Sequence, residues 1–243
     1  MYFNCFLIVY REAAGMSEKK EIAYNFIKER IIYGELPPMA DVSEKDFQLQ
    51  LGISRTPVHE ALARLEDEGF VQTYPRKGTF VTPITREQVS AVYEVRLLNE
   101  PYMTRRAVTC ASRAWLESMH RRMIEAKGGS PEQDYLLMTL DGELHAGIVA
   151  AYPNHFLRAA LRSIYDHDQR IRFSTKVNPP QIHESRLEHI RLLELMLAGD
   201  EAAVEQLSRE HILHSRDLTY GSLGLLPDTD VIALTSIPAA LHT

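Results

Sequence analysis

Leu51-Gly52-Ile53-Ser54-Arg55-Thr56-Pro57-Val58-His59-Glu60-Ala61-Leu62 decides the fold of the front of this chain. Gly52 stops a short helix that begins after Ser43, where Glu44-Lys45-Asp46 follow a residue suited to an N-cap. Ser54 is then positioned to cap a second helix, with Pro57 in the first turn, where a missing N–H costs nothing. Val58, Ala61, Leu62 and Leu65 recur at helical spacing and form one buried stripe, leaving Ser54, Arg55, Thr56, His59, Glu60 and Arg64 outside. Downstream, Phe70-Val71-Gln72-Thr73 and Thr79-Phe80-Val81-Thr82 read as paired strands, with Arg76, Lys77 and Gly78 at their tip. A helix, a tight turn, a second helix with polar residues outward and a basic hairpin make a winged helix-turn-helix, a DNA-reading module.

Net charge adds nothing to this reading. Between Met16 and Thr85 there are 9 Lys and Arg against 11 Asp and Glu, so attraction to phosphate must come from the local placement of Arg55, Arg64, Arg76 and Lys77. The whole chain, 243 residues with 45% hydrophobic and 25% charged residues and a net charge of −6, is long enough for one small and one medium core. Its charge argues against indiscriminate binding to polyanions. Cys5 and Cys110 have neither metal-ligand spacing nor a disulfide framework, in keeping with a reducing compartment, the cytoplasm. The apolar stretch Met1 to Tyr10 is too short to span a bilayer, lacks a basic start and runs into Arg11-Glu12, so no membrane anchor is expected; translation is expected to begin at Met16.

These signals divide the chain into an extension (1–15), a winged helix-turn-helix (16–82), a linker (83–85), an all-α domain (86–220) and a tail (221–243). Thr85 with Gln88 gives the linker a capping box. Beyond it only helical periodicity is found: a long helix toward Cys110 that contains Pro101, then helices over about 112–127, 131–151, 155–174, 183–198 and 200–220. Six helices without a strand signal predict a bundle, and the fold class overall is mostly α.

Within that bundle Asp141 and His145 are four residues apart on one helix face, while His189 and His211 lie on the last two helices. Three imidazoles and a carboxylate suit a divalent cation, zinc first, with nickel, manganese or iron as alternatives. Ten histidines also offer ordinary helix-surface or hydrogen-bonded core positions, to which His120, His155, His167, His183, His214 and His242 are assigned. The same four residues would suit a hydrolytic zinc with one open position, which makes a metal-dependent hydrolase the alternative function. Glu143, however, faces away from Asp141 and His145 on a helix, and no Ser/His/Asp or Cys/His arrangement accompanies it. A purely structural metal is the third possibility.

The residues resemble a family. Gly34-Glu35-Leu36-Pro37-Pro38, Ser43-Glu44, the stretch from Leu51 to Leu62, Leu65-Glu66-Asp67-Glu68-Gly69 and Gly78 are similar to the GntR regulators. Val95 to Pro101, Asp141-Gly142-Glu143-Leu144-His145 with Asn154, Glu188-His189, Gly199-Asp200 and Glu210-His211 resemble the FadR-type C-terminal ligand domain, the FCD domain. Six helices rather than seven point to its smaller, VanR-like branch. The resemblance covers about Glu21 to Tyr220 and implies a DNA-binding transcriptional regulator, with repression the default mode; because one short recognition helix reads only a few base pairs, a homodimer on two half-sites is expected. The resemblance implies that Asp141, His145, His189 and His211 are metal ligands and that Arg96 holds the carboxylate of a small organic acid effector, with an intrahelical pair to Glu100 as the alternative role of Arg96. Two departures stand out. His59 replaces an arginine usual in the recognition helix and cannot make arginine's bidentate contact to guanine, and Met39-Ala40-Asp41 replaces a glycine-bearing turn.

Overall fold

Ser43 and Gly52 bound the helix expected between them. Asp46 N donates to Ser43 Oγ at 3.3 Å, and Gly52, in the left-handed region at φ 63°, donates its N–H to Gln48 O. A computed structural model of the chain describes residues 16–175 and 179–224. The apolar stretch Met1 to Tyr10, His242 and most of the tail from Gly221 lie outside them.

The chain forms two compact units, Met1–Pro83 and Ile84–Thr243. In the first, α1 (Met16–Ile32), α2 (Glu44–Leu51) and α3 (Arg55–Asp67) precede the antiparallel hairpin β1 (Val71–Tyr74) and β2 (Gly78–Val81), which pairs Val71 with Val81 and Tyr74 with Gly78. The predicted stripe of α3 is buried against Ile27 and Ile31 of α1, Phe47 and Leu51 of α2, and Phe70 and Val81 of the hairpin. Two local expectations change. Ser54 precedes α3 with extended backbone and is exposed, but makes no side-chain cap bond. Residues 39–42 run beside β2, with Met39 N donating to Val81 O, Val81 N to Ala40 O and Val42 N to Thr79 O; the wing therefore has a third short edge that the sequence pattern did not reveal.

The second unit contains α4 (Arg86–Cys110), α5 (Arg113–Glu125), α6 (Pro131–Ala151), α7 (His155–Ser174), α8 (Pro179–Ala198) and α9 (Glu201–Ser222). Thr85 caps α4 by accepting from Gln88 N, and Pro101 lies inside that helix without ending it. Helix α8 begins four residues before the predicted start because Pro179 and Pro180 occupy its first turn, where proline is tolerated. Helix α4 packs along α9 and also meets α6, α7 and α8. One apolar cluster joins Ala107 to α5, α6, α8 and Val204; another joins Val89, Val92 and Tyr93 to Ile171, Ile212 and Tyr220. Along α4 and α9, buried polar residues lie between these clusters: Arg96, Glu100 and Thr104 on one, Ser208 and His211 on the other. On α6, Gly147 lets the Trp115 ring of α5 come so close that a Cβ there would stand 2.1 Å from it.

Candidate functional site

The polar layer of the second unit gathers Asp141 and His145 from α6, His189 from α8 and His211 from α9. All four are buried, and one donor atom from each lies within 4.8 Å of the others. His189 Nε2 is 3.0 Å from His211 Nε2 and 3.4 Å from Asp141 Oδ1; His145 Nε2 is 4.0 Å from the same oxygen. Ligand atoms arranged tetrahedrally about zinc are separated by about 3.3 Å, so these distances need only small side-chain adjustments.

The neighbours orient the donors. Arg172 of α7 donates to Asp141 Oδ2, leaving Oδ1 buried and without a hydrogen-bond partner among the described residues. Glu100 contacts His145 Nδ1, and Glu188 Oε2 lies 2.6 Å from His211 Nδ1. A carboxylate on Nδ1 keeps the proton there and turns the Nε2 lone pair inward, the usual outer support of an imidazole ligand. Burial dominates for His189 and His211 and pushes both below the ordinary histidine value, which keeps them neutral and able to bind a cation. Burial alone would raise Asp141, but the Arg172 guanidinium and the surrounding histidines outweigh it and hold the carboxyl far below its usual range. Glu100 behaves alike: burial opposes ionisation, and Arg96 with His145 overcomes it. An orphaned carboxylate oxygen, His145 Nε2 without a partner and two imidazole nitrogens facing each other form a donor set that fits a divalent cation.

Arg96 stands at the edge of this layer with no exposed surface. Its Nε donates to Glu100 at 2.8 Å and one terminal nitrogen to Asp168 of α7 at 2.7 Å. The intrahelical pair foreseen as its alternative role is present, together with an unforeseen partner on α7. Glu143 points elsewhere, 2.5 Å from Arg122 at the surface. His214, assigned among ordinary histidines, shares Glu188 with His211 at 2.7 Å. Sequence reasoning missed Arg172, Asp168 and the supporting role of Glu188. For the first two a signal existed: 161, 164, 168, 171 and 172 form one helical stripe, apolar except at Asp168 and Arg172. Glu188 had none, because adjacency to His189 says nothing about which helix it faces.

In the first unit Ser54, Arg55, Thr56 and His59 are exposed on one end of α3, and Arg76, Lys77 and Gly78 are exposed at the wing tip. Pro75 and Arg76 form the turn, Tyr74 O accepting from Lys77 N at 3.0 Å. Arg64 does not join this set. It reaches back to α1, donating to Glu21 at 3.0 Å and to Glu68 at 3.0 Å, its guanidinium 3.6 Å from the centre of the Tyr24 ring.

Residues 19–81 match the model of the bacterial regulatory proteins of the gntR family, and residues 91–214 match the FCD domain. The HTH-type transcriptional regulator in the TAR-I ttuE-ttuC' intergenic region of Agrobacterium vitis is 38% identical over 89 residues, 37% of this chain and 52% of that protein; this chain thus spans about half of that relative. The HTH-type transcriptional repressor RspR of Escherichia coli is 22% identical over 195 residues, 78% of this chain and 83% of that protein. The crystal structure of a GntR transcriptional regulator from Rhodococcus sp. RHA1 shares the fold, with a TM-score of 0.72 at 21% identity over 87% of this chain and 100% of that one.

Proposed function

The chain belongs to the gntR family of bacterial regulatory proteins and carries an FCD domain, so it is a DNA-binding transcriptional regulator, and from that premise we propose that a small carboxylate metabolite controls its operator binding through a divalent metal site. The convergence of Asp141, His145, His189 and His211 in one buried layer is the observation that carries the proposal. A bound cation, zinc foremost, would supply a Lewis-acidic position for one effector oxygen. The chain's own residues do the rest. Glu100, Glu188 and Arg172 hold the ligands, and Arg96 meets the effector by exchanging its Asp168 partner for the incoming carboxylate. That exchange would loosen the tie between α4 and α7, giving the effector the differential contact that a switch requires. Helix α4 follows the linker at Thr82 to Thr85, through which the preference would reach the DNA-reading heads. Ser54, Arg55, Thr56 and His59 of α3 enter the major groove, and Arg76, Lys77 and Gly78 touch the backbone or minor groove, while Arg64, its charge met by Glu21 and Glu68, is left out of the contact.

A single recognition helix reads only a few base pairs, so the working species is a homodimer on two half-sites. Repression in the cytoplasm is the mode we assign, by analogy with the Escherichia coli relative named a repressor. The complete engagement of Arg96 supports a second reading, in which the metal only stabilises the bundle.

Two substitutions divide these roles. Arg55→Ala should weaken binding to DNA upstream of the protein's own gene by about tenfold or more and leave bound metal unchanged. His189→Ala should lower metal affinity by about 10–100-fold or more and abolish the response to organic acids, with operator affinity in their absence retained. Anisotropy titrations and elemental analysis read both. Protein that ignores this DNA at low salt, whatever ions or acids are added, refutes the proposal; metal loss that lowers only the melting temperature selects the second reading.

A further inference from the structure

Glu44, the first residue of α2, reaches across to the exposed end of α3. Arg55 Nε donates to its Oε2 at 3.0 Å, and His59 Nδ1 stands 3.2 Å from its Oε1. That oxygen is out of contact with solvent and makes no well-aligned hydrogen bond among the described residues, whereas the His59 side chain is 70% exposed. A buried carboxylate oxygen requires a donor, and a small turn of the imidazole supplies one. A carboxylate can only accept, so the shared proton belongs on Nδ1. A neutral imidazole protonated there is an acceptor at Nε2, on the opposite side of the ring.

Arg55 is constrained in a complementary way. With Nε committed to Glu44, its two terminal nitrogens remain as donors, the pattern that guanine O6 and N7 accept. We infer that Glu44 sets the base-reading chemistry of α3, presenting Arg55 as a donor to guanine and His59, through Nε2, as an acceptor for an exocyclic amine, either N4 of cytosine or N6 of adenine. The inference rests on the reading that α3 lies in the major groove. Glu44 is a positioning residue: it touches no base and acts through two side chains that do. The His59 position thereby calls for the opposite hydrogen-bonding character from an arginine, which only donates.

The test uses full-length protein at pH 8 and duplexes that it selects from a random pool. Comparing selections by wild type and His59→Ala identifies the base pair whose preference depends on His59. Each base pair presents one exocyclic amine to the major groove, so a G·C pair there names cytosine, and an A·T pair adenine, as the base that His59 reads. Replacing it with its amine-free counterpart, 2-pyrimidinone or purine, should weaken wild-type binding by about fivefold or more and leave His59→Ala unaffected. Glu44→Gln, whose amide can donate or accept, should lose most of the discrimination between that base and guanine, while affinity for an unselected duplex does not fall. The conservative Glu44→Asp should restore part of the discrimination. A selection that His59→Ala leaves unchanged overturns the inference, as does insensitivity of wild-type binding to the amine-free base or full discrimination retained by folded Glu44→Gln. Should Glu44→Gln not fold, the base-replacement measurements on wild type decide. Unchanged affinity of Arg55→Ala for the selected duplexes would overturn the underlying groove assignment as well, which separates that failure from an error about His59 alone.

Discussion

Met39, 60% exposed, adopts φ 67°, in the left-handed region that disfavours a residue with a Cβ. It stands where the sequence departs from a glycine-bearing turn, and its N–H is tied to Val81 O, so the backbone is held in place despite the strain. Met39→Gly should therefore stabilise the first unit by roughly 1 kcal/mol, offset in part by the greater freedom of glycine in the unfolded chain, as urea denaturation can measure. The buried imidazoles give a second prediction. His189 and His211 are lowered from 6.5 chiefly by burial, so on acidification the unfolded chain takes up protons that the folded chain refuses. Stability of the metal-free protein is thus full above about pH 6.5 and declines as pH falls below it. Glu100, Glu188 and Asp141, also lowered, extend the decline into the carboxylate range. Thermal melts between pH 8 and pH 4 should show a continuous fall; a maximum near pH 5 would contradict the assignment.

Elements with strong local signals were the legible part of this fold. Ser43, Gly52, Pro57 and Thr85 mark helix boundaries by chemistry that acts within one turn, and the helices lie where these residues put them. The same held for the Asp141 and His145 pair, because four-residue spacing fixes a common face. What pairs α4 with α7 was not legible: Arg96 finds Asp168 across 72 positions, and nothing near Asp168 indicates which helix it meets. The third edge of the wing at 39–42 escaped for a related reason, since its bonds go to β2 and leave no periodic pattern in four residues. At the seam of α5 and α6, side-chain volume decides the outcome. Gly147→Ala improves helix propensity by about 1 kcal/mol but drives a methyl group into the indole of Trp115, so a net loss of stability is expected, on the order of 1–2 kcal/mol, readable by urea titration.

At the scale of the whole molecule, two units with separate cores should not melt as one. Ligands that bind only the folded form raise the transition of the unit that holds them, by about 2.7 kcal/mol at a concentration one hundred times Kd. Calorimetry with added zinc should therefore move one transition upward and leave the other in place; movement of both by the same amount would mean that the units unfold cooperatively. The indole resting on Gly147 has a practical consequence for such work. Trp115 is the sole tryptophan of the chain, it belongs to the second unit, and the glycine beneath it lies two positions beyond His145 on the same helix. Its intrinsic emission consequently offers an optical gauge of the bundle alone, blind to the DNA-reading head, with which cation uptake can be followed in the native chain without attaching a dye.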